Sequence, residues 1–155
     1  VTDNAAYLET LLDYYEEEVM GEAYFYGLAD HIGGAVEREK LALLAEVERR
    51  AADVVRPLLE KHGLVPRDES VLKALGEADV ERHRHYGWME LMAYMAGRYP
   101  AYLDEFAALE RLAPEEDMPA LKLLTRHEVV AIDFADKEIA GDPDSLASIR
   151  EYLDR

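Results

Sequence analysis

The sequence predicts an all-α protein: an antiparallel four-helix bundle with a kinked third helix and a short C-terminal helix, forming one domain over residues 1–155. Two observations carry this. Apolar residues recur at three- and four-residue steps through four long segments, and no period-two alternation competes with them. Glycines and prolines fall between those segments, where helices stop and chains turn. A chain of 155 residues is also long enough to bury a sizeable core without staples.

The first helix is expected over residues 5–31, with Leu8, Leu11, Tyr15, Glu18, Glu22, Phe25 and Ala29 on one stripe and Gly33-Gly34 as its stop. A second runs from about Val36 to His62, carrying Leu41, Leu44, Glu48, Ala51, Val55 and Leu58, with Gly63 as C-cap and Pro57 thinning its last turns. After a loop near Pro66–Ser70, a third places His83, Tyr86, Glu90, Ala93, Tyr94 and Gly97 on one face and continues past a kink at Pro100 toward Leu112. Residues 113–119 read as a loop closed by an Asp N-cap. A fourth helix aligns Leu121, Leu124, Glu128, Ala131 and Ala135 and ends at Gly141, and a terminal helix holds Leu146, Ile149 and Leu153.

Composition narrows the partners. A formal charge of −17 and the absence of cysteine disfavour nucleic acid and anionic membranes, and leave no disulfide, thiolate or zinc–sulfur chemistry. The chain opens at Val1 on a polar, acidic stretch and has no apolar run that would cross a bilayer, so a cytoplasmic location is expected. The expected partners are a small molecule or a metal ion, together with a homodimer packed through Tyr14 and Tyr24 on the outer face of the first helix. Most of the acids, including Glu16, Glu17 and Glu18, read as a solvated surface.

Glu22, Glu48, Glu90 and Glu128 do not fit that surface. Each interrupts an apolar stripe near the middle of its helix. A carboxylate there is costly unless a metal, a hydrogen-bond network or a raised pKa compensates it. Grouped carboxylates on rigid helices suit hard or borderline divalent ions. His83 and His127 are further candidate ligands, and Tyr26, four residues after Glu22, is a candidate phenol; Glu48, Glu128 and Tyr26 are the candidate catalytic groups. His83 and His85 also sit in an arginine-rich run that suits solvent, His127 is turned about 100° from the Glu128 stripe, and His31 and His62 read as surface or capping residues. The bulky run Tyr86, Trp88, Met89, Met92, Tyr94, Met95, Tyr99 suits either core packing or a pocket.

Glu22 in Gly21-Glu22-Ala23-Tyr24, Glu48 in Val47-Glu48-Arg49-Arg50, Glu128 in His127-Glu128-Val129-Val130 and the stretch Arg98-Tyr99-Pro100 together resemble the ferritin-like superfamily, in particular rubrerythrins and aldehyde-deformylating oxygenases. The resemblance implies a non-haem iron or manganese site used for oxidation or metal handling. The sequence departs from that pattern at Ala51 and Ala131, where the family carries histidines three residues after its glutamates, and at Gly97, where a third-helix ligand is expected. Small side chains at 51 and 131 leave space beside the glutamates. If the ligand losses are real, no metal is implied, and two alternatives stand: a metal-independent enzyme using a buried glutamate as general acid or base, and a non-catalytic dimeric bundle whose glutamates pair with Arg49 or Arg50.

Overall fold

The computed structural model describes residues 2–154, and side chains over 4–154; Val1 lies outside them. The regular structure of these residues is helical: α1 (Thr2–Ala29), α2 (Ala35–Lys61), α3 (Glu69–Asp79), α4 (Trp88–Arg98), α5 (Pro100–Leu112), α6 (Met118–Ala140) and α7 (Ala147–Leu153), with single 3-10 turns at Val80–Arg82 and Glu115–Asp117. Among the described residues, no helix is long and apolar enough to cross a membrane.

The α1–α2 turn uses Gly33 at φ +74°, a conformation glycine adopts without steric cost. Glu37 then accepts a hydrogen bond from the Gly34 N–H at 3.2 Å, which is half of a capping box because Gly34 has no side chain to return the bond. α2 runs through Pro57 to Lys61, and α6 ends at Gly141 in the left-handed region.

The third stretch differs from the sequence expectation. The face drawn through His83 and Glu90 does not exist, because α3 ends at Asp79 and the chain turns through residues 83–87 before α4 begins. Glu90 accepts a hydrogen bond from the Gly87 N–H at 3.0 Å, which fixes the start of α4 instead of continuing a helix. Pro100 opens α5, directly after Tyr99, where its missing N–H costs no helical bond.

α1 packs along α2 and α3, while α6 meets α2, α4, α5 and α7. The apolar core falls into two halves. One gathers Tyr24, Phe25 and Leu28 of α1, Leu41, Leu44 and Val47 of α2, and Val130 and Phe134 of α6. The other gathers Tyr7, Leu11 and Val19 of α1, Ala51, Val55 and Leu58 of α2, and Leu121 and Leu124 of α6. The halves meet between Val19 and Tyr24 on α1, Val47 and Ala51 on α2, and Leu124 and Val130 on α6, and Glu18, Glu48, His127 and Glu128 lie at or beside that boundary.

Two surface assignments are corrected by burial. Tyr14 and Tyr24 are interior residues, so they offer no outer face for a dimer. Asp117 precedes α6 without capping it through its side chain. It is fully buried and accepts hydrogen bonds from the Tyr7 hydroxyl at 2.6 Å and Lys61 Nζ at 2.5 Å, with His62 Nε2 at 2.8 Å. Burial alone would raise the Asp117 carboxyl, but the bonds from Lys61, Tyr7 and His62 outweigh it and hold the group below its ordinary value. A depressed folded-state pKa stabilises the protein above the unfolded value of about 3.9 and ceases to do so as the pH falls through the folded value. Asp117→Asn should therefore destabilise the protein by roughly 2–4 kcal/mol at pH 7, and the loss should shrink as denaturant melts are taken toward pH 2; an equal loss at both pH values would show that the charge contributes nothing.

Candidate metal centre

Three carboxylates and one imidazole fill the polar level between the core halves. α1 supplies Glu18, α2 supplies Glu48, and α6 supplies the adjacent pair His127 and Glu128. His127 Nε2 contacts Glu18 Oε2, lies 3.0 Å from Glu48 Oε2 and lies 3.6 Å from Glu128 Oε2. His127 is 1% exposed, Glu18 6% and Glu128 7%, and Glu48 is half-buried. Candidate ligand atoms of Glu18, Glu48 and His127 all lie within 4.8 Å of one another, a span that one ion with bonds of about 2.0–2.6 Å can bridge.

The hydrogen bonding of His127 gives the cluster its direction. Nδ1 contacts the Leu124 carbonyl oxygen, which can only accept, so Nδ1 carries the proton. In the neutral ring, Nε2 is then left with its lone pair toward the carboxylates. Despite the short separations, Nε2, Glu18 Oε2 and Glu48 Oε2 are all buried without a hydrogen-bond partner of acceptable geometry. Convergent ligand atoms, with a carbonyl fixing the far ring nitrogen, are what a histidine–carboxylate metal site requires.

The electrostatics are those of concentrated negative charge. Burial raises the Glu18 carboxyl well above its ordinary value, with Glu48 and Glu128 adding to this and His127 opposing it. Burial also lifts Glu128, helped by Glu48 and Glu17 and opposed by His127, to about 7. Burial would depress His127, but Glu18 and Glu48 outweigh it and push the imidazole well above its ordinary value. The centre demands positive charge, whether a proton or a cation.

A cavity of about 340 Å³ leads to this centre. Glu17, Glu18, Glu48 and Glu128 line one side, and Tyr24, Tyr94, Tyr99, Tyr102 and Phe106 line much of the rest. Gly21 makes the approach of Glu48 possible: a Cβ there would stand 2.8 Å from Glu48 Oε1 and 2.9 Å from its carboxyl carbon.

The chain matches no family model, no curated protein and no solved structure. The centre is therefore argued from its own atoms.

Of the residues singled out in the sequence, Glu48, Glu128 and His127 come together and the others do not. Glu22 instead accepts a two-pronged bond from Arg49, 2.8 Å from Nη2 and 3.2 Å from Nε. Glu90 is exposed at the start of α4. His83 is buried beside the cavity, not solvated, with Nδ1 2.7 Å from the Tyr24 hydroxyl. Tyr26 is 45% exposed and lines a separate surface depression with Glu22 and Arg49. His127 is buried together with Glu128 because α6 is covered by four helices, so its buried arc is wider than one stripe.

Glu18 was grouped with the solvated acids. It does lie on the α1 stripe with Tyr15 and Phe25, and that position was the available signal. Its neighbour Glu16 is buried as well, bonded to Arg67 at 2.9 Å through both the backbone N–H and Nη2. Ala51 and Ala131 are packed into the two core halves, not beside the cavity, so the space near the carboxylates does not come from them.

In chelator-treated protein, the Glu128 carboxyl should titrate near about 7, readable as the midpoint of its carboxyl-carbon NMR shift. The folded state then holds a proton that the unfolded state releases at lower pH, so this group's contribution to stability is present below about 4.3 and is lost as the pH rises through about 7. Glu128→Gln should flatten that decline. A midpoint in the ordinary carboxylate range would show the group to be hydrated.

Proposed function

We propose that this chain is a ferritin-like four-helix bundle whose Glu18, Glu48 and His127 hold a non-haem iron or manganese ion for oxidation or metal handling. α1, α2 and α6, with the α4–α5 pair divided at Tyr99, stand for its four helices, and α3 and α7 are additions. The observation that carries the metal reading is the convergence of buried ligand atoms from Glu18, Glu48 and His127, all within 4.8 Å of one another. Their chemistry fits the reading: two hard oxygen donors and one imidazole suit iron or manganese, and the absence of cysteine matches neither a zinc–thiolate nor a copper–thiolate site.

In this reading each residue has a distinct task. Glu18 and Glu48 neutralise the ion's charge, and His127 supplies the nitrogen, held in its tautomer by the Leu124 carbonyl. Glu128, beside the centre with its Oε2 3.6 Å from His127 Nε2, takes up or releases a proton. The tyrosine-lined cavity admits a small molecule and limits water. The ion, when bound, supplies redox or Lewis-acid chemistry.

Protein expressed with supplemental iron or manganese and purified without chelator should carry near-stoichiometric metal by elemental analysis. Glu18→Gln, Glu48→Ala and His127→Ala should each weaken its retention at least about tenfold, while Glu22→Gln, outside the centre, should retain it. Circular dichroism confirms that each variant is folded. Wild-type protein that stays metal-free after reconstitution would overturn the reading, and chelator-insensitive turnover would move the chemistry to Glu128 as a general acid or base.

A further inference from the structure

The cavity beside the centre has a composition that a bare metal ion does not require. Its walls carry the rings of Tyr24, Tyr94, Tyr99, Tyr102 and Phe106, while Glu17, Glu18, Glu48, Glu128 and Asp79 bring carboxylates to the same space. Positive charge is scarce there. Arg82 is the arginine among the lining residues, held by Asp79 at 3.1 Å, and Arg98 stands outside the lining over the Tyr102 ring, 4.9 Å from its centroid. His83 also lines the cavity, but burial and the adjacent Arg82 lower its pKa, so it is neutral at pH 7. Glu17 makes no hydrogen bond or ion pair with the described residues, where burial and the acids Glu105, Asp13 and Glu48 outweigh the attraction of Arg98, and the hydroxyls of Tyr94, Tyr99 and Tyr102 make no hydrogen bond.

Aromatic faces and uncompensated carboxylates attract the same kind of ligand. The negative face of a phenol ring and a carboxylate both favour a cation, and the ring also accepts an apolar body. An anion would be repelled by the acids. A neutral apolar molecule would displace water from Glu17 and Glu128 and return nothing for it. We infer that the cavity binds a small organic cation, a protonated amine carried on an aromatic or short apolar body. The ammonium sits against Glu17, the lining glutamate that the proposed centre does not use, and the body lies among the tyrosine rings. A volume of about 340 Å³ limits the guest to a small molecule, since it stands at the lower end of ordinary ligand pockets. The inference rests on the reading above in one respect: the amine is taken as the substrate presented to the proposed centre.

The test is calorimetric titration of the purified full chain with benzylamine, benzyl alcohol and benzoate, each in metal-reconstituted and chelator-treated protein. Benzylamine should bind about tenfold or more tighter than benzyl alcohol, and benzoate should not bind. The preference should weaken as salt is raised. Glu17→Gln, at the exposed mouth, should reduce it several-fold without disturbing the fold, and Tyr94→Leu should reduce it further. Equal binding of alcohol and amine, or no binding of any probe at millimolar concentration, overturns the inference. So does an amine preference present only with metal bound, since that signals direct ligation by the amine nitrogen. Metal content is measured separately by elemental analysis. Amine selectivity in a protein that never takes up metal would uphold the cavity and sink the centre, whereas stoichiometric metal with no amine selectivity would do the reverse.

Discussion

Three carboxylates gathered around one imidazole nitrogen, in a layer nearly closed to water, set the terms for the rest of the molecule. Like charges at this separation repel strongly in a weakly polar interior and must be neutralised by a proton or a cation. The surroundings are arranged to hold the group together regardless. The Leu124 carbonyl orients His127, Phe106 packs edge-on against its ring at 5.7 Å, and apolar core halves lie on either side. A core that contained this layer merely as a defect would have been cheaper as leucine. Its persistence across three helices at one level argues that the polar layer is what the helices are built around.

The acids of α1 show how such a layer is assembled from a sequence full of glutamates. Glu16, Glu18 and Glu22 are all removed from solvent to a large degree, yet each meets a different partner. Glu16 finds Arg67 in the α2–α3 connection, and Glu22 finds Arg49, which Glu69 and Asp53 also engage. Glu18 finds no guanidinium. It faces His127 and Glu48 instead. The acids are thus sorted by the basic group that the neighbouring element brings opposite, and the one left without an arginine becomes the candidate ligand.

This sorting explains what could and could not be read from the residues alone. Helical periodicity and the stops at Gly33, Gly63 and Gly141 are local properties, and they placed α1, α2 and α6 to within a few residues. The turn at residues 83–87 is hidden because its residues continue a helical pattern of aromatics, and the break shows in the extended backbone of Gly87 and its N–H bond to Glu90. Glu48 and Glu128 were legible because each interrupts an otherwise apolar stripe. Choosing Glu18 over Glu22 was not legible, because they are one turn apart on the same face and the choice depends on where Arg49 of α2 arrives. The burial of His127 beside Glu128 is hidden for a related reason: a single-stripe picture underestimates the buried arc of a helix packed on by four others.

The cavity depends on a different kind of residue. Ala51 and Ala131 do not make the space beside the carboxylates, because both are filled in by core packing. The space is shaped instead by glycines where helices approach closely. At Gly76 a Cβ would fall 2.1 Å from the Met20 carbonyl oxygen, so α3 can lie against α1 only because that position has no side chain. α3 contributes Leu75, Gly76 and Asp79 to the cavity wall, placing a helix that a four-helix scheme does not contain over the route to the centre. A side chain at 76 would therefore force α3 and α1 apart at this contact. Access to the centre and the charge within it are therefore governed by separate elements: the first by the α1–α3 contact, the second by α1, α2 and α6.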